Sequence, residues 1–256
     1  MSELVLADVG NTNTRIGLWR QGAVHDVRVL PTASACPDGR LSAGLEREIA
    51  ALNADPRAPL VLCSAVPAAG TAWLRWAEAD GRPALLVRGD TPAPLPNRYR
   101  RPRQLGGDRL AAAVAAVRRL GAPAIVASLG TATVVDAVSP AGEFLGGAIA
   151  AGVEAGLRAL ADLTAALPRL APGDPPGALG ADTEECMQAG AVVGAAALVE
   201  GIADRLRAQV GAEAPLALTG GHAERVSPHL RAEHHLFPAL SLEGVALIWE
   251  HLHGAG

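Results

Sequence analysis

Asp8, Gly10, Asn11 and Thr12 follow one apolar run, in LVLADVGNTNT, and Gly130, Thr131, Thr133 and Asp136 follow another, in AIVASLGTATVVD. Small polar residues at the end of a buried strand are the makings of an anion site. A glycine there is expected to adopt a left-handed conformation, turning consecutive N–H groups and threonine hydroxyls toward one bound anion. Two such turns would grip a polyphosphate from both sides. A carboxylate beside the first turn would repel phosphate unless a metal stood between them, and Mg²⁺ is the natural mediator. The plainer reading of Asp8 is a turn residue that satisfies local N–H groups.

Asp108, in LGGDRLAAAVAA, is the best-placed group for proton transfer. Two glycines let a ligand come close, and the helix that follows has a dipole that favours a carboxylate. Two roles fit: an N-cap stabilising the helix by about 1 kcal/mol, or a base that readies a bound hydroxyl for in-line attack on a γ-phosphate. Arg109 beside it has the fork to pair with a substrate carboxylate. Upstream, Arg98, Arg100, Arg101 and Arg103 surround Tyr99, the only tyrosine. A short basic loop with one aromatic, in an acidic protein, matches an anionic small substrate better than nucleic acid. In TGGHAE, residues 219–224, Gly220 and Gly221 either back a flat adenine ring or make an ordinary strand-to-helix turn. His222, His229, His234, His235, His251 and His253 share no metal-ligand spacing and read as surface or capping residues.

All 22 basic residues are arginine. Without lysine there is no GK[ST] loop and no Schiff-base amine, which excludes P-loop nucleotide binding and pyridoxal chemistry. A phosphate site must then rest on backbone N–H groups, hydroxyls, carboxylate-bound metal and arginine. The net charge of -4 provides no overall field to hold nucleic acid or an anionic membrane. Cys36, Cys63 and Cys186 are widely spaced and odd in number, which fits a reducing compartment. MSELVLADVG lacks a basic n-region, and the apolar run LAAAVAAV is too short to span a bilayer, so a soluble cytoplasmic protein with no membrane partner is expected.

The elements that must position these residues come in two similar series. Strands are expected at residues 3–7, 14–19 and 24–29, then a helix over 41–52, a strand at 60–63, a helix over 69–79 and a strand at 84–87. The order begins again with strands at 124–128, 133–138 and 144–149, helices over 153–167 and 183–207, strands at 216–218 and near 236, and a last helix over 242–252. A βββα series that twice opens on a glycine turn reads as a duplication. It divides the chain into residues 1–119, with the first turn and the arginine-rich loop, and 120–256, with the second turn and TGGH. The cleft between the halves is the expected ligand site. Asp182 or Thr183 is expected to cap the long helix, and the small residues of AGAVVGAAALVEG, 189–201, to allow close packing in the core or at a dimer seam.

In order and separation, DVGNTNTRIG, Tyr99 before LGGDR, LGTATVVD, GEFLGGAIAAG, TAALP at 164–168, GADTEECMQAG and TGG resemble the type III pantothenate kinases. These are the Bvg accessory factor-like members of the acetate and sugar kinase, Hsp70 and actin superfamily. The likeness spans nearly the whole chain. It implies an α/β protein with a duplicated ribonuclease H-like (actin-like ATPase) fold, two βββαβα-type halves around a central cleft. The activity it implies is ATP-dependent phosphorylation of pantothenate to 4'-phosphopantothenate, the first step of coenzyme A biosynthesis.

The same resemblance implies residue roles. Asp8, Val9, Gly10, Asn11, Thr12, Asn13, Thr14 and Arg15 would form the first phosphate loop, with Asp8 managing Mg²⁺ directly or through water. Thr131, Gly220 and Gly221 would be further ATP contacts. Tyr99, Gly106, Gly107, Asp108, Arg109 and Thr183 would bind pantothenate, with Asp108 as proton acceptor, and the protein would be a homodimer whose substrate pocket draws on both subunits. One position departs from the family. Its acidic residue at the head of the second motif, which binds a monovalent cation, is Ser128 here. A neutral hydroxyl is a poorer cation ligand, so weak or absent dependence on K⁺ or NH₄⁺ is expected. Two other readings remain. A sugar or acetate kinase of the same fold is opposed by LGGDR and Tyr99. A non-catalytic nucleotide-binding regulator or transcription accessory factor is favoured by the lost carboxylate at 128 and opposed by intact Asp8, Asp108 and Thr131.

Overall fold

Two five-stranded sheets share one strand plan. The computed structural model describes residues 3–37 and 40–254. In the first sheet β1 (Leu4–Val9), β2 (Asn13–Arg20) and β3 (Ala23–Pro31) make an antiparallel meander, and β4 (Leu60–Ser64) and β5 (Ala84–Val87) continue in parallel from the other side of β1. The resulting order is β3-β2-β1-β4-β5. In the second sheet β6 (Ala124–Leu129), β7 (Ala132–Val138) and β8 (Phe144–Ala151) repeat the meander, and β9 (Leu216–Thr219) and β10 (His235–Leu236) repeat the parallel addition. Its order, β10-β9-β6-β7-β8, is the same plan read from the other edge. The expected duplication is therefore present in hydrogen-bond topology.

Local sequence explains the strand types. β1, β4 and β6 are nearly continuous apolar runs because both their faces are covered. β3 lies at a sheet edge and is mostly exposed or half-buried. The β2–β3 hairpin closes through Gln21 and Gly22, both with positive φ (54° and 78°), the backbone a tight two-residue hairpin requires.

The helices are α1 (Thr32–Ala35), α2 (Ala43–Ala50), α3 (Pro67–Ala79), α4 (Gly107–Leu120), α5 (Val153–Leu163), α6 (Thr183–Val210), α7 (Ala223–Val226) and α8 (Leu240–His253). Leu45 and Ile49 of α2 and Trp73 and Ala77 of α3 join Val5, Ala7, Ile16, Leu60 and Leu62 in one core. α8 packs against all five strands of this first sheet. The second core joins Ile125, Ala127, Leu129, Val135, Leu216 and Leu218 to Val192, Ala196, Val199 and Ala203 of α6.

The chain divides into two units, one running through Arg119 and resuming at Ala239, the other Leu120–Pro238. The last helix was expected with the second half by chain order, but it belongs to the first unit. Its residues Leu240 to Ala246 and Ile248 are buried, and Leu242 reaches to 3.4 Å from where a Cβ of Gly17 on β2 would stand. α5 stops at Leu163 instead of 167 because Thr164 turns extended (φ -125°, ψ 147°). By length and composition alone α6 could cross a membrane, a helix that a search for unbroken apolar runs overlooks. Here six of its apolar residues, Val192, Ala195, Ala196, Val199, Ala203 and Val210, are core residues of the second unit.

α4 and α8 touch backbone to backbone. A Cβ on Gly244 would stand 1.8 Å from the carbonyl oxygen of Ala111. Arg119 of α4 donates Nε and Nη2 to the carboxylate of Glu243 on α8, at 2.8 and 2.9 Å, and Glu243 is itself buried. Gly244→Ala forces the helices apart and is expected to destabilise the protein by about 1–3 kcal/mol. Gly156→Ala, in α5 with nothing within 4 Å of the new methyl, is expected to stabilise it by about 0.5–1 kcal/mol. Thermal unfolding of the two variants beside the parent checks both signs.

Candidate active site

The register of the first sheet sets out a row of side chains. Asp8 stands opposite Arg15 on β2 and opposite Cys63 on β4, and Cys63 stands opposite Val87 at the end of β5. Cross-strand partners share a sheet face, so Arg15, Asp8 and Cys63 are neighbours. The Asp8 carboxylate is held from two sides: Oδ1 accepts from the Cys63 thiol (3.4 Å) and Oδ2 from the Ser241 hydroxyl of α8 (2.6 Å). Cys63 is fully buried. Burial first, then the charges of Asp8 and Asp108, push its thiol well above the ordinary value, so it stays protonated and donates.

The end of this row is where Asp108 comes in. A Cβ on Gly107 would stand 2.1 Å from the Val87 carbonyl oxygen, and one on Gly106 would stand 2.3 Å from Oδ1 of Asp108. The glycine pair thus serves contact: one docks the head of α4 against β5 and the other leaves room for the carboxylate. Asp108 lies one residue inside α4 rather than at its cap. Desolvation, and then the negative charge of Asp8, raise its pKa, while the N–H groups of Arg109 and of Asp108 itself act in the opposite direction. Arg109 is 8% exposed, with its Cζ 5.5 Å over the Tyr99 ring. The loop carrying Tyr99 is tied down by Asn97, which accepts from Tyr99 N (2.8 Å) and donates to the Gly89 carbonyl (2.7 Å). Gly106, Gly107, Asp108, Arg109 and Tyr99 are therefore brought together.

The first turn is closed by Gly10 N donating to Asn13 O at 2.9 Å. Thr32 of α1 braces it: its N–H donates to Thr12 O (2.8 Å), and its hydroxyl donates to Gly10 O (2.7 Å) and lies 3.0 Å from Thr14 Oγ1. Asn11, Thr12 and Asn13 face outward, whereas Val9 and Thr14 are buried, so those two offer a ligand backbone only. The expected left-handed glycine is not found at Gly10 or at Gly130. At Gly10 the reason for glycine is the Asn13 carbonyl, 2.9 Å from a would-be Cβ; at Gly130 the nearest such atom is 3.9 Å away.

In the second unit Ser128, Thr131, Gly220 and Gly221 gather at the end of β6. Ser128 pairs in register with Thr219 on β9. Gly220 does have positive φ (103°), and its missing side chain would overlap the backbone of Leu129, whose carbonyl accepts from His222 N (2.9 Å). Gly152 at the head of α5 donates N–H to Thr131 O (3.1 Å) and would strike Gly130 O if it carried a Cβ. TGGH is thus a strand-to-helix turn that also buttresses the second glycine turn. Burial, followed by Arg225, lowers the His222 pKa and keeps its ring neutral. Thr133 Oγ1, Thr219 Oγ1 and His222 Nδ1 are buried with no hydrogen-bond partner among the described residues. Thr183 begins α6, exposed, while Asp182 caps the helix by accepting from Glu185 N (2.8 Å).

Among the described residues no three or more His, Cys, Asp or Glu side chains are placed to hold a metal ion. This donor set fits Mg²⁺, which is commonly held by one or two carboxylates together with substrate phosphates and water rather than by a protein cage. Asp8 is the carboxylate available, and its two protein donors leave lone pairs free on each oxygen. Sequence reasoning missed Ser241 and Cys63. A serine beside an apolar helical run reads as a cap, and a cysteine within a buried strand reads as core.

The family model described as type III pantothenate kinase matches residues 4–205. A type III pantothenate kinase from Moorella thermoacetica is 34% identical over 255 residues, covering 96% of this chain and 98% of that protein. One from Acidothermus cellulolyticus is 37% identical over 254 residues, covering 96% and 98%. Among solved structures, a conserved protein from Campylobacter jejuni described as a Baf family transcriptional activator aligns with a TM-score of 0.61 at 15% identity, covering 98% of this chain and 100% of that one. The inorganic polyphosphate/ATP-glucomannokinase of Arthrobacter sp. strain KM aligns at 0.54 and 14% identity, covering 98% and 100%. These structural likenesses establish the duplicated actin-like fold, and the sequence matches establish that the chain belongs to the type III pantothenate kinase family.

Proposed function

We propose that this protein transfers the γ-phosphoryl group of ATP to the primary hydroxyl of pantothenate, giving 4'-phosphopantothenate and ADP, with Asp108 as the base. The observation that carries the base assignment is a carboxylate at a glycine-lined helix head whose proton affinity is raised by burial and by Asp8. Asp108 accepts the hydroxyl proton as the new O–P bond forms and the bond from the γ-phosphorus to the β–γ bridging oxygen breaks. The exposed Asn11 and Thr12, with Arg15, are phosphate contacts, and Thr131, Gly220 and Gly221 are further ATP contacts. Arg109, stacked on Tyr99, pairs with the pantothenate carboxylate, and Thr183 is a further substrate contact. Asp8 would hold Mg²⁺, which would supply positive charge to offset that of the phosphate groups. The reading extends to a cytoplasmic enzyme.

ADP release should require pantothenate, and Asp108→Asn should lower kcat by about 10²–10⁴-fold; pantothenate-independent turnover, or near-normal turnover of the variant, would refute the respective assignment. The raised pKa has a definite sign. A carboxylate that binds its proton more tightly folded than unfolded favours the folded state at low pH, and this contribution is lost as pH rises through the folded pKa. Asp108→Asn should therefore melt higher than the parent at neutral pH, with the gain vanishing in acid. In the parent, the acid limb of the kcat/KM profile should lie above the ordinary aspartate value, because the base works only when ionised.

Ser128 supports weak or absent activation by K⁺ or NH₄⁺. Titrating either ion against a bulky organic cation should leave turnover within about twofold, well short of the tenfold change that a cation contact worth about 1.4 kcal/mol would give; a steep rise overturns this. The family resemblance also supports a homodimer, and Leu145, Ile149, Leu160 and Leu163 of the second unit are large apolar side chains left exposed. Light scattering should give twice the 26.0 kDa chain mass, and a monomer at assay concentration would contradict it.

A further inference from the structure

The most unusual contact around Asp8 comes from the far end of the chain. Ser241 is the second residue of α8, and its hydroxyl donates to Asp8 Oδ2 at 2.6 Å across 233 residues of sequence. That length lies at the short end of the range for an O–H···O hydrogen bond. Ser241 is only 6% exposed, so its hydroxyl has little water to turn to. On the other oxygen the Cys63 thiol donates at 3.4 Å. Together they fix the rotation of the carboxylate and set which of its lone pairs point away from the protein.

We infer that Ser241 is a positioning residue for phosphoryl transfer, holding the Asp8 carboxylate in the orientation that receives the metal–nucleotide, with Cys63 as its weaker counterpart. This rests on the reading of Asp8 given above. The helix that carries Ser241 also carries Gly244 and Glu243, which lock α4 at Ala111 and Arg119. α4 in turn carries Asp108. A single helix therefore sets both carboxylates, Asp8 by direct contact and Asp108 through the helix it heads. Partners that orient a metal-binding group without touching the metal commonly change affinity or activity by about 10–100-fold when removed.

The test uses the full chain and four variants: Ser241→Ala, Ser241→Thr, Asp8→Asn and the double Asp8→Asn/Ser241→Ala. Mn²⁺–ATP binding is read by electron paramagnetic resonance, beside turnover and thermal melting. Ser241→Ala should weaken Mn²⁺–ATP binding by about tenfold or more and lower kcat, while the KM for pantothenate stays near the parent value. Ser241→Thr, which keeps the hydroxyl, should restore most of the binding. In the Asp8→Asn background the serine change should add less than about twofold, because non-additivity is the mark of a group acting through its neighbour. If Asp8→Asn weakens Mn²⁺–ATP while Ser241→Ala does not, or if the two effects simply add, the positioning role is overturned and the reading of Asp8 stands. If neither variant changes Mn²⁺–ATP binding, the metal reading of Asp8 falls and the inference falls with it. A Ser241→Ala protein that melts lower but binds Mn²⁺–ATP normally shows a structural role and overturns the inference.

Discussion

Two carboxylates, Asp8 and Asp108, are held near enough for the charge of one to raise the proton affinity of the other, in a place where water is partly excluded. Like charges in such a place repel, and burial penalises each ion, so the arrangement is unfavourable in itself. The first unit offsets it with specific geometry. Asp8 is fixed at the end of a central strand by register with β2 and β4, and its oxygens receive donors from Cys63 and Ser241. Asp108 is fixed at a helix head by a glycine that lets α4 rest on the last carbonyl of β5. A neutral, buried thiol lies in the same row as Asp8, donating a proton instead of adding a third charge.

The means by which these elements come so close is a core built from small residues. The chain is 50% hydrophobic but only 3% aromatic, and several of its decisive contacts are between backbones. A side chain on Gly107, Gly147, Gly152 or Gly244 would begin 1.8 to 2.2 Å from a carbonyl oxygen. Such contacts tolerate almost no adjustment, because the obstructing atom is main chain and cannot change rotamer. The alanines of LAAAVAA on α4 serve the same end by letting α8 lie against that helix. Packing of this kind fixes helix positions tightly, which is what two side chains on different elements, Asp8 on β1 and Asp108 on α4, need if their separation is to matter.

Much of this was legible in the sequence. β5 falls at residues 84–87 as periodicity indicates, the βββ series repeats with the expected glycine turns, and Gly106, Gly107 and Asp108 meet at a helix head. What was not legible depends on contacts between distant segments. No periodicity shows that the last helix belongs with the first sheet, since an amphipathic run records that it has a buried face and not which sheet covers it. Ser241 and Cys63 carry no local signature for the same reason. Thr14 was grouped with the phosphate loop by resemblance, yet its hydroxyl is buried against Thr32. The left-handed glycine expected in each turn is absent from both: Gly10 answers the close approach of the Asn13 carbonyl instead, and Gly130 has neither a positive φ nor a crowding neighbour.

The duplication also shows what a repeated fold preserves and what it lets go. Both glycine turns join the first two strands of a meander, and in each the leading glycine donates its N–H back to a carbonyl that opens the next strand, Asn13 in one and Ala132 in the other. Their supports differ. The first turn is braced largely by side chains, with Thr32 and Thr14 beneath it and Ser241 and Cys63 on Asp8. The second is braced by main chain, with Gly152 and the Gly220 to His222 segment packed against it. Side-chain bracing determines the orientation of a carboxylate as well as the path of the backbone. Main-chain bracing determines the path alone, which suffices where the anchor residue is a serine. The neutral Ser128 ahead of the second turn and the carboxylate of Asp8 ahead of the first are therefore consistent with one principle: hydrogen-bond topology makes the two halves alike, and the donors that reach each turn make them chemically different.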